Sequence, residues 1–80
     1  MKIGTVTGSG WATRTAPSLQ GQTFLVVRTG EEELVAADQV GAGPGDRVLL
    51  AVGTVASRFC MEAPVDAAVV AILDMKKDGD

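Results

Sequence analysis

Val35-Ala36-Ala37-Asp38-Gln39-Val40-Gly41-Ala42-Gly43-Pro44-Gly45-Asp46-Arg47-Val48-Leu49 sets two aliphatic runs on either side of a turn. Gly41 to Asp46 is the strongest turn signal in the chain, because glycine reaches positive φ without steric cost and proline fixes its own φ. Leu34 to Ala37 before it predicts one strand, and Arg47 to Val52 after it predicts another. Toward the N-terminus, Gln22 to Thr29 predicts a strand whose run Phe24-Leu25-Val26-Val27 suits cover on both faces. The short acidic turn Gly30-Glu31-Glu32-Glu33 then makes a hairpin with the strand at Leu34. Ala16-Pro17-Ser18-Leu19-Gln20-Gly21 reads as a loop. Lys2 to Thr13 predicts the first strand, where Gly4, Gly8 and Gly10 mark bulges or bends. Toward the C-terminus, Thr54 to Cys60 suggests a short helical turn, and Pro64 breaks the chain. Asp66 suits a turn through hydrogen bonds to nearby amides. Val69 to Leu73 predicts a fifth strand. Lys76-Lys77-Asp78-Gly79-Asp80 reads as a polar tail that frays. Five short strands with glycines where corners fall predict an all-β fold, a small closed or partly open five-stranded barrel.

Composition narrows the function. Eighty residues make one small domain, and ten Asp+Glu against seven Lys+Arg give a net charge of −3. No broad basic surface is available for a nucleic-acid backbone or an anionic membrane. Histidine and tyrosine are absent and cysteine occurs once. This excludes His-based acid/base catalysis, His-containing metal sites, Cys-pair zinc sites and an internal disulfide. Composition therefore argues against an enzyme, and no cofactor is expected. The aromatic content is Trp11, Phe24 and Phe59, although 46% of the chain is apolar. A lone domain of this size buries only roughly 60–65% of its unfolded surface, so the aliphatic excess predicts association with further copies. The N-terminus starts at once with strand-like alternation, with no apolar run of signal-peptide length. No stretch approaches the ~18 apolar residues of a membrane span. The single Cys60 suits a reducing cytoplasm.

The residues that could carry chemistry each have a plainer explanation. Gly41 to Asp46 lacks the Lys-Ser/Thr that follows a phosphate loop, and lacks the third glycine leading into a helix of a dinucleotide fingerprint; a tight turn explains it. Cys60 has no histidine to activate it and only Arg58 as a nearby cation, so a buried or interface thiol is expected. Glu31, Glu32 and Glu33 lack the ligand spacing of a calcium loop. Nothing in the spacing brings Asp66 and Asp74 together as an acid/base pair. Trp11 has no basic or aromatic cluster around it and reads as a packing residue. The main alternative function is an OB-like module for single-stranded nucleic acid, against which the negative charge and sparse aromatics weigh.

Four segments together resemble the EutN/CcmL family, the pentameric vertex proteins of bacterial microcompartments, which include carboxysomes. They are Ile3-Gly4-Thr5-Val6-Thr7-Gly8 with Ala12-Thr13; Pro17 to Gly21 followed by Phe24 to Val27; Val35 to Leu49; and Pro64-Val65-Asp66-Ala67-Ala68-Val69-Val70-Ala71-Ile72-Leu73-Asp74. The resemblance covers about residues 1 to 74. It implies an OB-like five-stranded barrel over residues 1–75, assembled as a cyclic homopentamer, with residues 76–80 as a tail. It implies a structural role at the vertices of a shell whose facets are hexamers of another fold, with no nucleic-acid or membrane partner. Such a ring uses heterologous contacts closed by rotation. The resemblance places Gly53, Thr54 and Val55 near the five-fold axis as pore-lining residues. Relatives often read Gly-Ser-Ala-Ala-Arg where this chain has Gly53-Thr54-Val55-Ala56-Ser57-Arg58. Trp11, Arg14, Arg28, Arg47 and Arg58 are candidate subunit or rim contacts. The strand faces around Ile3, Val6, Val26, Leu49, Val70 and Ile72 divide between barrel core and subunit contact.

Overall fold

The computed structural model describes residues 1–10, 16–60 and 65–74. Five strands, β1 (Lys2–Gly10), β2 (Thr23–Thr29), β3 (Glu32–Asp38), β4 (Arg47–Val52) and β5 (Ala67–Ile72), close in the order β1-β2-β3-β5-β4. All neighbours are antiparallel except β3 and β5, which run parallel through the pairs Ala37↔Ala68 and Asp38↔Val69. The barrel follows from side-chain alternation. Val6, Leu25, Val27, Ala36, Val48, Leu50, Ala67 and Val69 all turn inward and form one buried cluster. Branched and small aliphatics fill such a narrow interior without leaving polar atoms unpaired.

Two irregularities bend the sheet. Pairing of β1 with β2 slips between Val6 and Gly8, leaving Thr7 as the extra residue. The Thr7 hydroxyl donates to the Val26 carbonyl at 3.4 Å there. Pairing of β4 with β5 slips at Leu49/Leu50, leaving Val70 extra. Such bulges increase local twist and help a short sheet close.

The turn after β3 is sewn to the barrel. Gly41 and Gly45 have φ of 76° and 93°. The Asp38 carboxylate accepts the Val40 amide at 3.1 Å, and the Asp46 carboxylate accepts the Gly43 amide at 2.9 Å. Gly45 N–H donates to the Val6 carbonyl at 2.8 Å, and Val6 N–H donates to the Asp46 carbonyl at 2.9 Å. Amides that a phosphate would require are thus engaged within the protein, which agrees with the tight-turn reading.

Several sequence expectations shift in detail. The hairpin pairs Thr29 with Glu32, so Gly30 and Glu31 form the turn, and Glu32 and Glu33 belong to β3. The loop before β2 contains a 3₁₀ turn, Pro17–Leu19, started by a proline that suits the first helical position. The run Phe24 to Val27 is covered on its inner face by Leu25 and Val27, while Phe24 and Val26 on the outer face are only half-buried. Double cover was expected from the unbroken apolar run, but a barrel wall has only one interior. Asp66 makes its turn contact through its backbone, accepting the Gly53 amide at 2.8 Å. Residues 11–13 of the first expected strand, Pro64 and the 76–80 tail lie outside the described residues.

Candidate functional site

The barrel exterior is where surface remains for function. β4 ends at Val52, and Gly53 turns the chain with φ 74° into a 3₁₀ helix, Gly53–Phe59. Its first amide is tied to the start of β5 through the Asp66 carbonyl. The Ser57 hydroxyl donates to the Thr54 carbonyl at 2.9 Å, and the Cys60 amide donates to the Ser57 carbonyl at 3.1 Å. Ala56 and Cys60 press against Ala37, Ala51 and Ala68 on the outer face of β3, β4 and β5, forming a second buried cluster. Methyl side chains on both sides let the short helix lie close to the sheet. Phe24, Val65 and Val70 pack around its edge.

This arrangement bears on the chemical candidates in turn. Cys60 is fully buried, and burial pushes its thiol above the ordinary value, which disfavours the reactive thiolate. Asp66 and Asp74 flank opposite ends of β5, up to roughly 26 Å apart at strand rise, too far to share a proton. Glu31, Glu32 and Glu33 are exposed, and among the described residues no three His, Cys, Asp or Glu side chains gather to hold a metal. No described helix is long and apolar enough to cross a membrane.

Of the expected contact residues, Arg28, Arg47 and Arg58 lie on the outside, in two separate places. Arg28 on β2 and Arg47 on β4 flank Thr5 on β1 in one outward row, with Glu33 on β3 opposite Arg28. Arg58 is exposed on the 3₁₀ helix, and Gly53, Thr54 and Val55 are exposed at its start. Trp11 and Arg14 lie outside the described residues. Of the six aliphatic positions expected to divide between core and contact, Val6 is buried in the barrel. Val26, Leu49 and Val70 are half-buried, and Ile3 and Ile72 face solvent at 47% exposure each.

Two concavities were not legible in the sequence. One, of about 410 Å³, lies between the Pro17–Leu19 turn and the glycine-rich turn, with Leu19, Phe24 and Ala42 in its wall and no charged side chain among its described lining residues. The other is a notch of about 490 Å³ where the start of β3 meets the end of β4 and the start of β5. Its walls are Val35, Val52 and Ala67, with Glu33, Asp66 and Lys2 around them. Beside it, Val35 is 63% exposed, and on the 3₁₀ helix Phe59 is 44% exposed.

The chain is similar to known proteins over nearly its whole length. A family model described as ethanolamine utilisation protein EutN/carboxysome matches residues 1–74. The carboxysome shell vertex protein CcmL of Synechococcus elongatus is 47% identical, over 92% of this chain and 84% of that protein. The bacterial microcompartment shell vertex protein PduN of Salmonella typhimurium is 39% identical, over 92% of this chain and 96% of that protein. The solved structure of GrpN, a pentameric microcompartment shell protein from Rhodospirillum rubrum, superposes with a TM-score of 0.84 at 33% identity. It covers 96% of this chain and 99% of that one.

Proposed function

The chain belongs to the EutN/CcmL family, and from that premise we propose that it is a structural shell protein of a bacterial microcompartment, forming homopentamers that cap the vertices of the shell. The observation that carries this reading is the likeness, over nearly its whole length, to a pentameric shell protein. The role is geometric. A sheet of hexagonal units stays flat, and five-fold units at defined points supply the curvature that closes it. A ring of five identical subunits requires two unlike surfaces on each copy, since each must meet its neighbour head to tail.

In this role the protein works without catalysis and without a cofactor, in the cytoplasm. It meets its own copies and hexameric shell proteins, and binds neither nucleic acid nor membrane. Residues 1–75 act as one vertex domain, with 76–80 as a polar tail. Gly53, Thr54 and Val55 line the opening on the five-fold axis, supported by their shared exposure at the head of the 3₁₀ helix. Arg28, Arg47 and Arg58, with Trp11 and Arg14, contribute polar or packing contacts at subunit rims. Native mass spectrometry at low concentration tests the reading, with a stable five-copy mass expected and a monomer refuting it. Co-expression with shell hexamers extends the test: closed shells should form with this protein, and tubes or open-vertex shells without it.

A further inference from the structure

The barrel wall has a gap along the last part of β1. From Lys2 to Thr5 the strand pairs with β4, and at Val6 the same edge is held by Gly45 and Asp46 of the glycine-rich turn. Beyond the Thr7 bulge, Gly8, Ser9 and Gly10 pair with Val26, Leu25 and Phe24 of β2. Among the described residues, no strand lies along their other edge. Sheets usually blunt such an edge with charge, proline or a covering element, but this one reads Gly-Ser-Gly. A Cβ on Gly8 or Gly10 would meet nothing within 4 Å, so a second backbone has room to approach. Ser9 stands opposite the buried Leu25 and shares its inward face, yet it is exposed. What it faces is the recess of about 410 Å³. Ser9 and Gly10 form one side of that recess, Ala42 and Pro44 of the turn form the other, and Leu19, Phe24 and Leu25 give it apolar walls. The recess therefore lies where a further strand would run.

We propose that Gly8–Gly10 is a strand-addition site, which takes an extended, uncharged segment of a different protein and seats one of its apolar side chains in the recess. Backbone hydrogen bonds to the open edge hold such a segment, and alternate side chains read the pocket beside it. The chemistry of the walls selects the occupant. No described lining residue is charged, so a charged side chain entering there loses its hydration without gaining a partner. Gln20 and Gln22 supply side-chain amides at the rim, where the Gln22 oxygen accepts Gln39 Nε2 at 3.2 Å and its own amide hydrogens stay available. This chain's own Lys76-Lys77-Asp78-Gly79-Asp80 stretch is too charged to suit the recess. Antiparallel pairing of two identical edges is two-fold and ends as a pair, so a second copy does not fit beside the five-fold reading, on which that exclusion rests. The site thus lies apart from self-assembly and gives the vertex domain a place to hold another chain.

The test uses the full chain and the blocked peptide acetyl-Ser-Val-Thr-Leu-Ser-amide, which alternates apolar and polar side chains and carries no charge. Amide hydrogen exchange and chemical shifts read the edge. In the protein alone, the amides of Gly8–Gly10 that point away from β2 should exchange fast. Added peptide should slow them and shift the signals of Gly8–Gly10 and Thr23–Leu25. Replacing the central threonine of the peptide by proline removes a backbone donor and keeps the apolar side chains, and should weaken binding about tenfold or more. Ser9→Lys puts an ammonium into the recess and should weaken binding by a similar factor, whereas Ser18→Lys, on the exposed 3₁₀ turn outside the lining, should bind as the unmodified chain does. Circular dichroism checks that both variants keep their fold. Slow exchange across Gly8–Gly10 without peptide, no peptide binding, or equal binding of the proline peptide would overturn strand addition. Native mass spectrometry separates this from the ring. Ser9→Lys should keep the assembly of the unmodified chain, and a folded Ser9→Lys protein that loses it would assign the edge to self-association and overturn the proposal. An unmodified chain that is not five-fold would instead overturn the vertex reading.

Discussion

A single methyl group at Gly4 measures how tightly the barrel wall is closed. Gly4 is buried on β1 between β2 and β4, in register with Val48. A Cβ added there would stand 2.5 Å from Val27 Cγ1, 2.9 Å from the Arg28 carbonyl oxygen and 3.0 Å from Thr29 Cγ2. Val27 is itself fully buried and cannot swing away, and the Arg28 oxygen is backbone, so β2 must move as a unit. Overpacking of this kind costs about 1–3 kcal/mol. For a domain of this size, that lowers the melting temperature by roughly 5–20 °C. Gly8 on the same strand supplies the control, since a Cβ there meets nothing within 4 Å and its φ is not positive. Gly8→Ala should be neutral, or more stable by about 0.4–1 kcal/mol through the lost freedom of the unfolded chain. Denaturant and thermal unfolding of Gly4→Ala, Gly8→Ala and the unmodified protein, at one protomer concentration, decide the matter, because association adds its own concentration-dependent stability. A Gly4→Ala protein as stable as the parent would refute the close approach of β1 and β2.

Three further outcomes follow from contacts already described. Asp46→Ala removes the carboxylate that accepts the Gly43 amide in a partly buried turn, and should lower stability by about 1–2 kcal/mol in a denaturant titration, whereas Asp46→Asn should recover part of it. Burial raises the Cys60 thiol pKa above its ordinary value of 9.0, so the folded state retains a proton that the unfolded chain releases. The sign is therefore a stability contribution fully present below pH 9 and lost as pH climbs through the raised value, and alkylation of Cys60 at neutral pH should be slow until denaturant exposes it. Titration with single-stranded DNA at low salt should show no tight, salt-sensitive binding; a steep salt slope would restore the nucleic-acid alternative.

The strands were legible because their signals are local. β4 matches its expected bounds, Arg47 to Val52, since a glycine-rich turn and Gly53 fence an unbroken aliphatic run. The hairpin of β2 and β3 was likewise written in neighbouring residues. What local pattern lacks is long-range pairing: nothing in Ala37 or Ala68 announces the parallel contact through which β3 and β5 close the barrel. The five-fold assembly was expected from family resemblance instead. Gly4 was read as a bend and is a point of close approach, while the bulge falls beside Gly8. At the candidate site, the exposure of Arg28, Arg47 and Arg58 was expected of charged side chains. The notch was hidden because Lys2, Glu33, Val52 and Asp66 come from four distant segments. Phe59 was hidden because an aromatic in a sequence of few aromatics reads first as core.

The alanine layer beneath the 3₁₀ helix has a consequence for ring geometry. Ala37, Ala51 and Ala68 meet Ala56 and Cys60 with scarcely more than methyl groups between them. That thin spacer sets the height of the helix above the wall, and with it the position of Gly53, Thr54 and Val55 at its head. In a five-fold assembly any change of height recurs in every subunit. Thickening the spacer by one carbon would therefore lift all five helices in the same sense, although no exposed residue had been touched.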